Sequence, residues 1–469
     1  ESCPLLSHHA IYKALGGSPE SRQRVYRELF RAVLGPGQLD AIRSAVQTGT
    51  PLGNDRFREQ IEFRLYFQGG PGDRMTIPDL ASTLRRIAVQ GPDEFYTGRT
   101  AELIVEEMER GDGLINMADL ASYRPVWRKP IEGRYRGYRV VSMPPPSSGG
   151  VILVEFLNML ETFERLPLHA PAQIHLLAEI AKRVFADRAE YLGDPAFAEV
   201  PVAVLTDRNY ARARSSGIDL ERRTDPQAIK AGDLPVRVDS DGQTTHFSIV
   251  DRNGLAVSNT TTMNTGYGSG IVVDGAGFLL NSQMNDFSAK PGVPNVYGVT
   301  GSAANEIAPG KRPLSSMSPT LVYSPAGDLV LVLGSPGGST IISTVLQVIL
   351  HSIDYGRALA EAVDLPRFHH QWPPLLPETD PISIEQDGRY ALPRDVLEAL
   401  LELGYTLDPV ESIGDVQRHI AIDHLVQDIL DHRLHTDGVT GIRIMLVAVS
   451  SLNIDWHTVY KQLSVLDLN

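Results

Sequence analysis

The feature that most restricts this chain is a β-hairpin written between Gln243 and Met263. "TTHFSIVD" and "GLAVSNTTTM" are runs rich in β-branched residues, joined through Asp251-Arg252-Asn253-Gly254. Such runs around an Asn-Gly step read as paired antiparallel strands. More than one register is open to the pair. A three-residue loop of Arg252, Asn253 and Gly254 seats glycine at the left-handed position of a type I turn with a G1 bulge. That loop pairs Asp251 with Leu255, and counting outward sets His246 opposite Thr260 and Thr244 opposite Thr262. Opposed residues share a face, with Cβ atoms ~4.5–5.5 Å apart. Asn264, two residues beyond Thr262, falls on that face as well.

Threonine suits strands, and cross-strand hydroxyl pairs stabilise them. β-Propensity therefore explains the crowding of threonines by itself. The stretch upstream adds a second reading: residues 207–242 are polar and turn-rich, the texture of a flexible linker. A threonine that follows such a segment becomes, on cleavage, a chain terminus. Its α-amine then serves as base for its own hydroxyl.

The rest of the chain supplies candidate partners. "VLVLGSPGGSTIISTVLQVIL" reads as a strand, a glycine turn and a helix. N–H groups at Gly337 and Gly338 would sit at the helix's positive end, suited to a developing oxyanion. In isolation this is a common strand-to-helix turn. "KRPLSSMSPT" puts Ser315 and Ser316 in a proline-bounded loop, where a turn role accounts for them better than a site does. "LLNSQMNDFSAKPGVPNVYG" sets Gln283 and Asp286 three apart before a Pro/Gly loop. A carboxylate beside an amide suits an ammonium group; a solvated loop is the alternative.

Elsewhere the first ~62 residues read as helices, opened by Ser18-Pro19 as a cap with proline at the first helical position. From about Tyr66 the texture is mixed. "IPDLASTLRRIAVQ" and "RTAELIVEEMERGDG" read as helices around a loop, "GPDEFYTG". "RYRGYRVVSMPPPSSGG" reads as a strand entering a Pro/Ser/Gly loop. "VILVEFLNMLETF", "APAQIHLLAEIAKRVFADRAEY" and "PRDVLEALLELGY" have helical apolar spacing. The formal charge of −14 disfavours a nucleic-acid-binding surface over most of the chain. No apolar run reaches the ~18 residues of a membrane span. Cys3 is the lone cysteine and can form no internal disulfide. Nothing after Glu1 reads as a signal peptide.

Taken together, "TTHFSIVD…TTTMNTGYG", "LLNSQMNDFSAKPGVPNVYG", "KRPLSSMSPT", "GSPGGS" and "PRFHHQW" resemble the small subunit of γ-glutamyltransferase (glutathione hydrolase). Upstream, "GPDEFYTG", "YRGYRVVSMPPPSSGG" and "DRAEYLGDP" resemble the later part of its large subunit. The likeness runs in family order from about Tyr66 to Gln417.

It implies an α+β fold, the four-layer αββα sandwich of N-terminal-nucleophile hydrolases, incomplete on its N-terminal side. It also implies self-cleavage between Gln243 and Thr244, with Thr244 as nucleophile and Thr262 hydrogen-bonded to it. Asn264, Gln283 and Asp286 match positions holding the γ-glutamyl α-amino group, and Ser315 and Ser316 those holding its α-carboxylate. Gly337 and Gly338 match the oxyanion hole, and Tyr297 the tyrosine of a lid loop. The implied substrates are glutathione and other γ-glutamyl compounds, with water, an amino acid or a peptide as acceptor. No metal or organic cofactor is implied. The large and small fragments of the cleaved chain stay partners, and family members are exported to the periplasm or outside.

By this reading residues 66–243 are a partial large-subunit-like region and 244–417 the small-subunit-like catalytic region. Residues 1–62 echo the helical tail of repeat-associated single-tyrosine transposases, without the chemistry of those enzymes. Residues 418–469 form an atypical extension, in which His424, His432 and His435 read as a solvated helix face and not a metal site. Nothing in residues 1–65 matches the family segment carrying the arginine that pairs with the substrate carboxylate. A second reading follows from that: an inactive, recombined chain that keeps the motifs without a complete pocket.

Overall fold

The computed structural model describes residues 76–232, 245–251, 253–264, 268–288, 303–373, 379–386, 391–410 and 412–414. The readings for 1–62 and 418–469, and those for Gln243, Thr244 and Tyr297, lie outside the described residues. The chain divides into two units.

The smaller unit comprises Glu1–Trp127 with Tyr267–Ser282. Its described part holds α1 (Pro78–Gln90), α2 (Asp93–Thr97), α3 (Arg99–Gly111) and α4 (Met117–Ser122). Proline opens α1 and Gly91, at φ 84°, ends it, while Asn116 and Asp119 close a capping box on α4. Leu103 and Ile104 of α3 pack with Val273 and Ala276. The expected loop "GPDEFYTG" contains α2. Its helical turn is held by Glu94, whose buried carboxylate accepts from Arg86 Nε at 2.9 Å and Thr100 Oγ1 at 2.7 Å, a tertiary bond that local sequence does not announce.

In the larger unit, β1 (Ile131–Tyr135), β2 (Tyr138–Ser142), β5 (Thr320–Tyr323) and β6 (Leu329–Leu333) form an antiparallel sheet in that order. What reads in the sequence as one strand is thus a hairpin. Its turn residues, Arg136 and Gly137, both take positive φ (50° and 86°), the twist that suits a two-residue hairpin. An arginine in that role hides the turn. Against β1 and β2 packs α5 (Gly149–Leu160), and α6 (Pro171–Tyr191) packs on α5, with α7 (Val202–Leu205) and α8 (Arg208–Ser215) following. Every residue of α5 is buried and nearly every one of α6. Such all-round burial marks central helices.

β3 (Thr245–Val250) and β4 (Ala256–Thr261) make a separate hairpin. After β6 come α9 (Thr340–Ile353) and α10 (Leu359–Asp364). A second sheet joins β7 (Phe368–His369), β8 (Pro381–Glu385) and β9 (Thr406–Val410), with α11 (Arg394–Glu402) crossing between the parallel pair β8 and β9.

The expected linker is corrected in its first part. Residues 207–232 are folded: Asp207 caps α8 by accepting from the N–H groups of Asn209 and Tyr210. Arg214 of α8 reaches Asp187 of α6 at 2.8 Å. The segment's polarity serves buried ion pairing, which composition cannot distinguish from solvation.

Candidate active site

The β3–β4 hairpin pairs His246 with Thr260 and Val250 with Ala256, and Asp251 N–H bonds to Leu255 O at 2.9 Å. Gly254 has φ of 83°, the left-handed conformation required by a three-residue loop. His246 and Ser248 are buried while Phe247 is exposed, so the even-numbered face turns inward. Thr262 and Asn264 continue that face on the other strand. Asn264 is fully buried at φ 72°, and its N–H donates to Thr262 Oγ1 at 2.9 Å.

His246 organises the inner face. Its Nδ1 lies 2.8 Å from Thr260 Oγ1 and its Nε2 lies 2.9 Å from Ser248 Oγ. Ser248 donates in turn to Val332 O, and Ser258 donates to Leu333 O at 2.8 Å. This pattern assigns the proton to Nε2 and leaves Nδ1 to accept from Thr260. The imidazole rests directly on the backbone of Gly334: a Cβ there would meet His246 Nδ1 at 2.1 Å. The hairpin is therefore seated on the end of β6, where "GSPGGS" begins. Gly337 (φ 132°) and Gly338 (φ 61°) follow and turn the chain into α9, whose amino end carries the positive pole of its dipole. A Cβ at Gly337 would sit 2.4 Å from Thr340 Oγ1.

A second cluster gathers the loop residues. Gln283–Asp286 form one 3-10 turn with Asp286 buried. Asn305, fully buried, donates to Asp286 O at 2.6 Å and accepts from Leu314 N–H at 3.0 Å. The acidic turn is thereby tied to the serine loop. Ser315 O accepts from Ser148 N–H (2.7 Å) and from the hydroxyls of Ser147 and Ser148. Arg188 of α6, fully buried, donates from Nε to Ser148 Oγ at 2.8 Å and from Nη2 to Ser316 Oγ at 2.7 Å.

The γ-glutamyltranspeptidase family model matches residues 50–435. The chain belongs to the γ-glutamyltranspeptidase family. It is 48% identical over 348 residues to a glutathione hydrolase proenzyme of Escherichia coli (strain K12), covering 74% of this chain and 58% of that protein. A glutathione hydrolase proenzyme of Pseudomonas aeruginosa is 48% identical over 351 residues, covering 74% of this chain and 61% of its own. The chain thus spans about three-fifths of the length of these curated relatives. The crystal structure of a cephalosporin acylase from Bacillus halodurans superposes with a TM-score of 0.65 at 26% identity, covering 80% of this chain and 64% of that one. The fold is the α+β type of N-terminal-nucleophile hydrolases.

Of the site positions expected from the sequence, Thr262 and Asn264 are joined by a hydrogen bond. Asp286 is joined through Asn305 to the loop of Ser315 and Ser316. Gln283 begins the turn that ends at Asp286, and Gly337 and Gly338 occupy the strand-to-helix turn. Gly334, Asn305, Ser147, Ser148 and Arg188 are additions that sequence reasoning missed; His246 was placed opposite Thr260, as it lies, but given no role. Arg188 did carry a signal, as an arginine inside the quoted "DRAEYLGDP" at the end of an otherwise buried helix. Asn305 carried none. Among the described residues, no group of three His, Cys, Asp or Glu side chains could hold a metal ion. No described helix is long and apolar enough to cross a membrane.

Proposed function

We propose that this chain performs γ-glutamyl acyl transfer, as a glutathione hydrolase or transferase, with Thr244 as nucleophile. The observation that carries the reading is the hairpin register. The described pairing of His246 with Thr260 on the inward face supports the sequence expectation that Thr244, which lies outside the described residues, pairs with Thr262.

The chemistry begins with self-cleavage. Thr244 Oγ attacks the carbonyl carbon of Gln243, the C–N bond breaks, and the freed nitrogen takes up a proton as the α-amine. Water then hydrolyses the resulting ester, leaving a carboxylate on Gln243 and a free Thr244 hydroxyl. In turnover, the α-amine accepts the Oγ proton as Oγ attacks a γ-glutamyl amide. The oxyanion faces the N–H groups of Gly337 and Gly338, and the departing amine takes the proton. Water, an amino acid or a peptide next accepts the glutamyl group from the ester. Asp286, with Gln283 and Asn264, suits the substrate ammonium, and Ser315 and Ser316 its carboxylate. The family resemblance assigns Tyr297, outside the described residues, to the lid loop. The word "proenzyme" in the relatives' names supports the cleavage step, and the two fragments stay associated. Like other members of its family, the protein works outside the cytoplasm.

Denaturing electrophoresis of the purified chain should show two fragments, the smaller beginning at Thr244 by terminal sequencing. Hydrolysis of γ-glutamyl-p-nitroanilide should accompany them, and Thr244→Ala should abolish both. A chain that stays intact on prolonged incubation would refute the reading and favour the inactive recombined form.

A further inference from the structure

We propose that Arg188 and Ser148 are positioning residues for the α-carboxylate of a γ-glutamyl substrate, holding Ser315 and Ser316 so that their hydroxyl protons are presented to it. The inference rests on the function proposed above.

A carboxylate only accepts hydrogen bonds, so the groups that bind it must supply donors. A serine hydroxyl has one proton and two lone pairs, and it is a dependable donor when the protein occupies its acceptor side. Both serines are arranged in this way. Ser315 Oγ accepts from the N–H of Met317 at 3.2 Å, and Ser316 Oγ accepts from Arg188 Nη2 at 2.7 Å. Arg188 has no acceptor to offer in return, so the Ser316 proton is turned away from the guanidinium. The bond is charge-assisted, which polarises that O–H and strengthens it as a donor.

The same guanidinium fixes the backbone of the serine loop. Its Nε donates to Ser148 Oγ at 2.8 Å, which directs the Ser148 proton to Ser315 O at 2.9 Å. The Ser148 N–H reaches that carbonyl at 2.7 Å, and the Ser315 N–H donates to Pro146 O at 2.8 Å. A Cβ at Gly149 would lie 2.3 Å from Met317 O, so the loop rests directly on the amino end of α5. Arg188, Ser148 and Ser316 are fully buried, where an unmade hydrogen bond is costly and a satisfied network keeps one geometry. One arginine of α6 therefore sets the loop's backbone through Ser148 and its donor through Ser316. Arg188 acts on the substrate only through them.

The test is steady-state hydrolysis of two p-nitroanilides by the purified, self-cleaved protein: the γ-glutamyl compound and the 4-aminobutyryl compound, which differ only in the α-carboxylate. Arg188→Gln should raise KM for the γ-glutamyl compound about tenfold or more while kcat stays within about threefold, the signature of lost ground-state binding. Arg188→Lys, which keeps the charge but loses the fork that reaches both hydroxyls, should recover part of the loss. Ser148→Ala should raise KM by about three- to tenfold. For the 4-aminobutyryl compound, kcat/KM should match wild type in every variant. An unchanged KM in Arg188→Gln and Ser148→Ala overturns the proposal. So does an equal fall in kcat/KM for both compounds, or loss of self-cleavage in both variants, since either means a merely structural role. If Arg188→Gln alone fails to fold, Ser148→Ala decides by the same criteria. A wild-type protein that hydrolyses neither compound overturns the underlying reading, and this one with it.

Discussion

Two buried polar regions of the larger unit solve the same physical problem in opposite ways. Around Lys182, charges neutralise one another. Its Nζ donates to Glu179 Oε1 (2.8 Å), Asp380 Oδ2 (2.5 Å) and Thr224 O (2.9 Å). Arg183 adds a bond to Glu179, and Arg223 and His370 add bonds to Asp380. Burial alone would raise both acids, yet Lys182 outweighs it at Glu179, and His370 with Lys182 outweighs it at Asp380. Each carboxyl is pulled down to about 2. The hairpin side of the candidate site, apart from the loop cluster that holds Asp286 and Arg188, is built instead from the His246 imidazole, the hydroxyls of Thr260, Ser248 and Thr262, and the glycines at 334, 337 and 338. A network of compensated charges ties α6 to β8 and leaves little capacity for a substrate. Neutral dipoles and bare backbone hold a shape while remaining able to respond to charge that develops during reaction.

The largest expected effect breaks the first region. Lys182→Met leaves Glu179 and Asp380 buried without their shared cation, a change that costs about 3–5 kcal/mol in comparable pairs. The thermal midpoint should fall by about 10 °C, while turnover per folded molecule changes little. If the midpoint holds, Arg183 and Arg223 carry the network and the contrast between regions weakens.

Next comes Gly334→Ala, which drives a methyl group into the His246 ring. Overpacking of this kind costs about 1–3 kcal/mol in stability. Displacing the hairpin from β6 should lower γ-glutamyl-p-nitroanilide turnover by about 10²-fold. Loss of stability with turnover intact would make His246 a core residue only.

The smallest effect is set by acid. His351 and His369 are held down to about 4, first by burial, although a bond to Ala362 O favours charge on one and Gln371 on the other. A histidine with a depressed pKa binds fewer protons folded than unfolded, so stability is lost as pH falls from 6.5 towards 4. At pH 6 each should cost on the order of 1 kcal/mol. The carboxylates Glu179 and Asp380, depressed in their turn, hold their contribution until pH falls below about 4.5 and lose it towards 2. Denaturation midpoints from pH 7 to 2 should therefore decline in two stages; a single stage below 4.5 would remove the histidines from the account.

Much of the hairpin is legible in the sequence because its determinants are local. Asn253-Gly254 selects the loop, loop length selects the register, and a period of two sends Thr262 and Asn264 to the face of His246. Proline at the start of α1 and of α6 marks those helices for the same reason. The turn at Arg136-Gly137 and the helix inside "GPDEFYTG" were hidden because ordinary residues fill them. Polar residues of 207–232 read as a linker although Arg214, Tyr210 and Gly232 converge on a carboxyl group in α6.

By itself the sequence determined most of the helices, the strand pairing of one hairpin and the chemical types assembled along it, since these depend on neighbours a few residues apart. Only the tertiary structure decided that Arg188 reaches Ser316, that Asn305 joins the Asp286 turn to the serine loop, and that His246 requires glycine at 334. Each of those contacts spans from 9 to 128 positions of chain, and burial, not local propensity, makes such bonds obligatory.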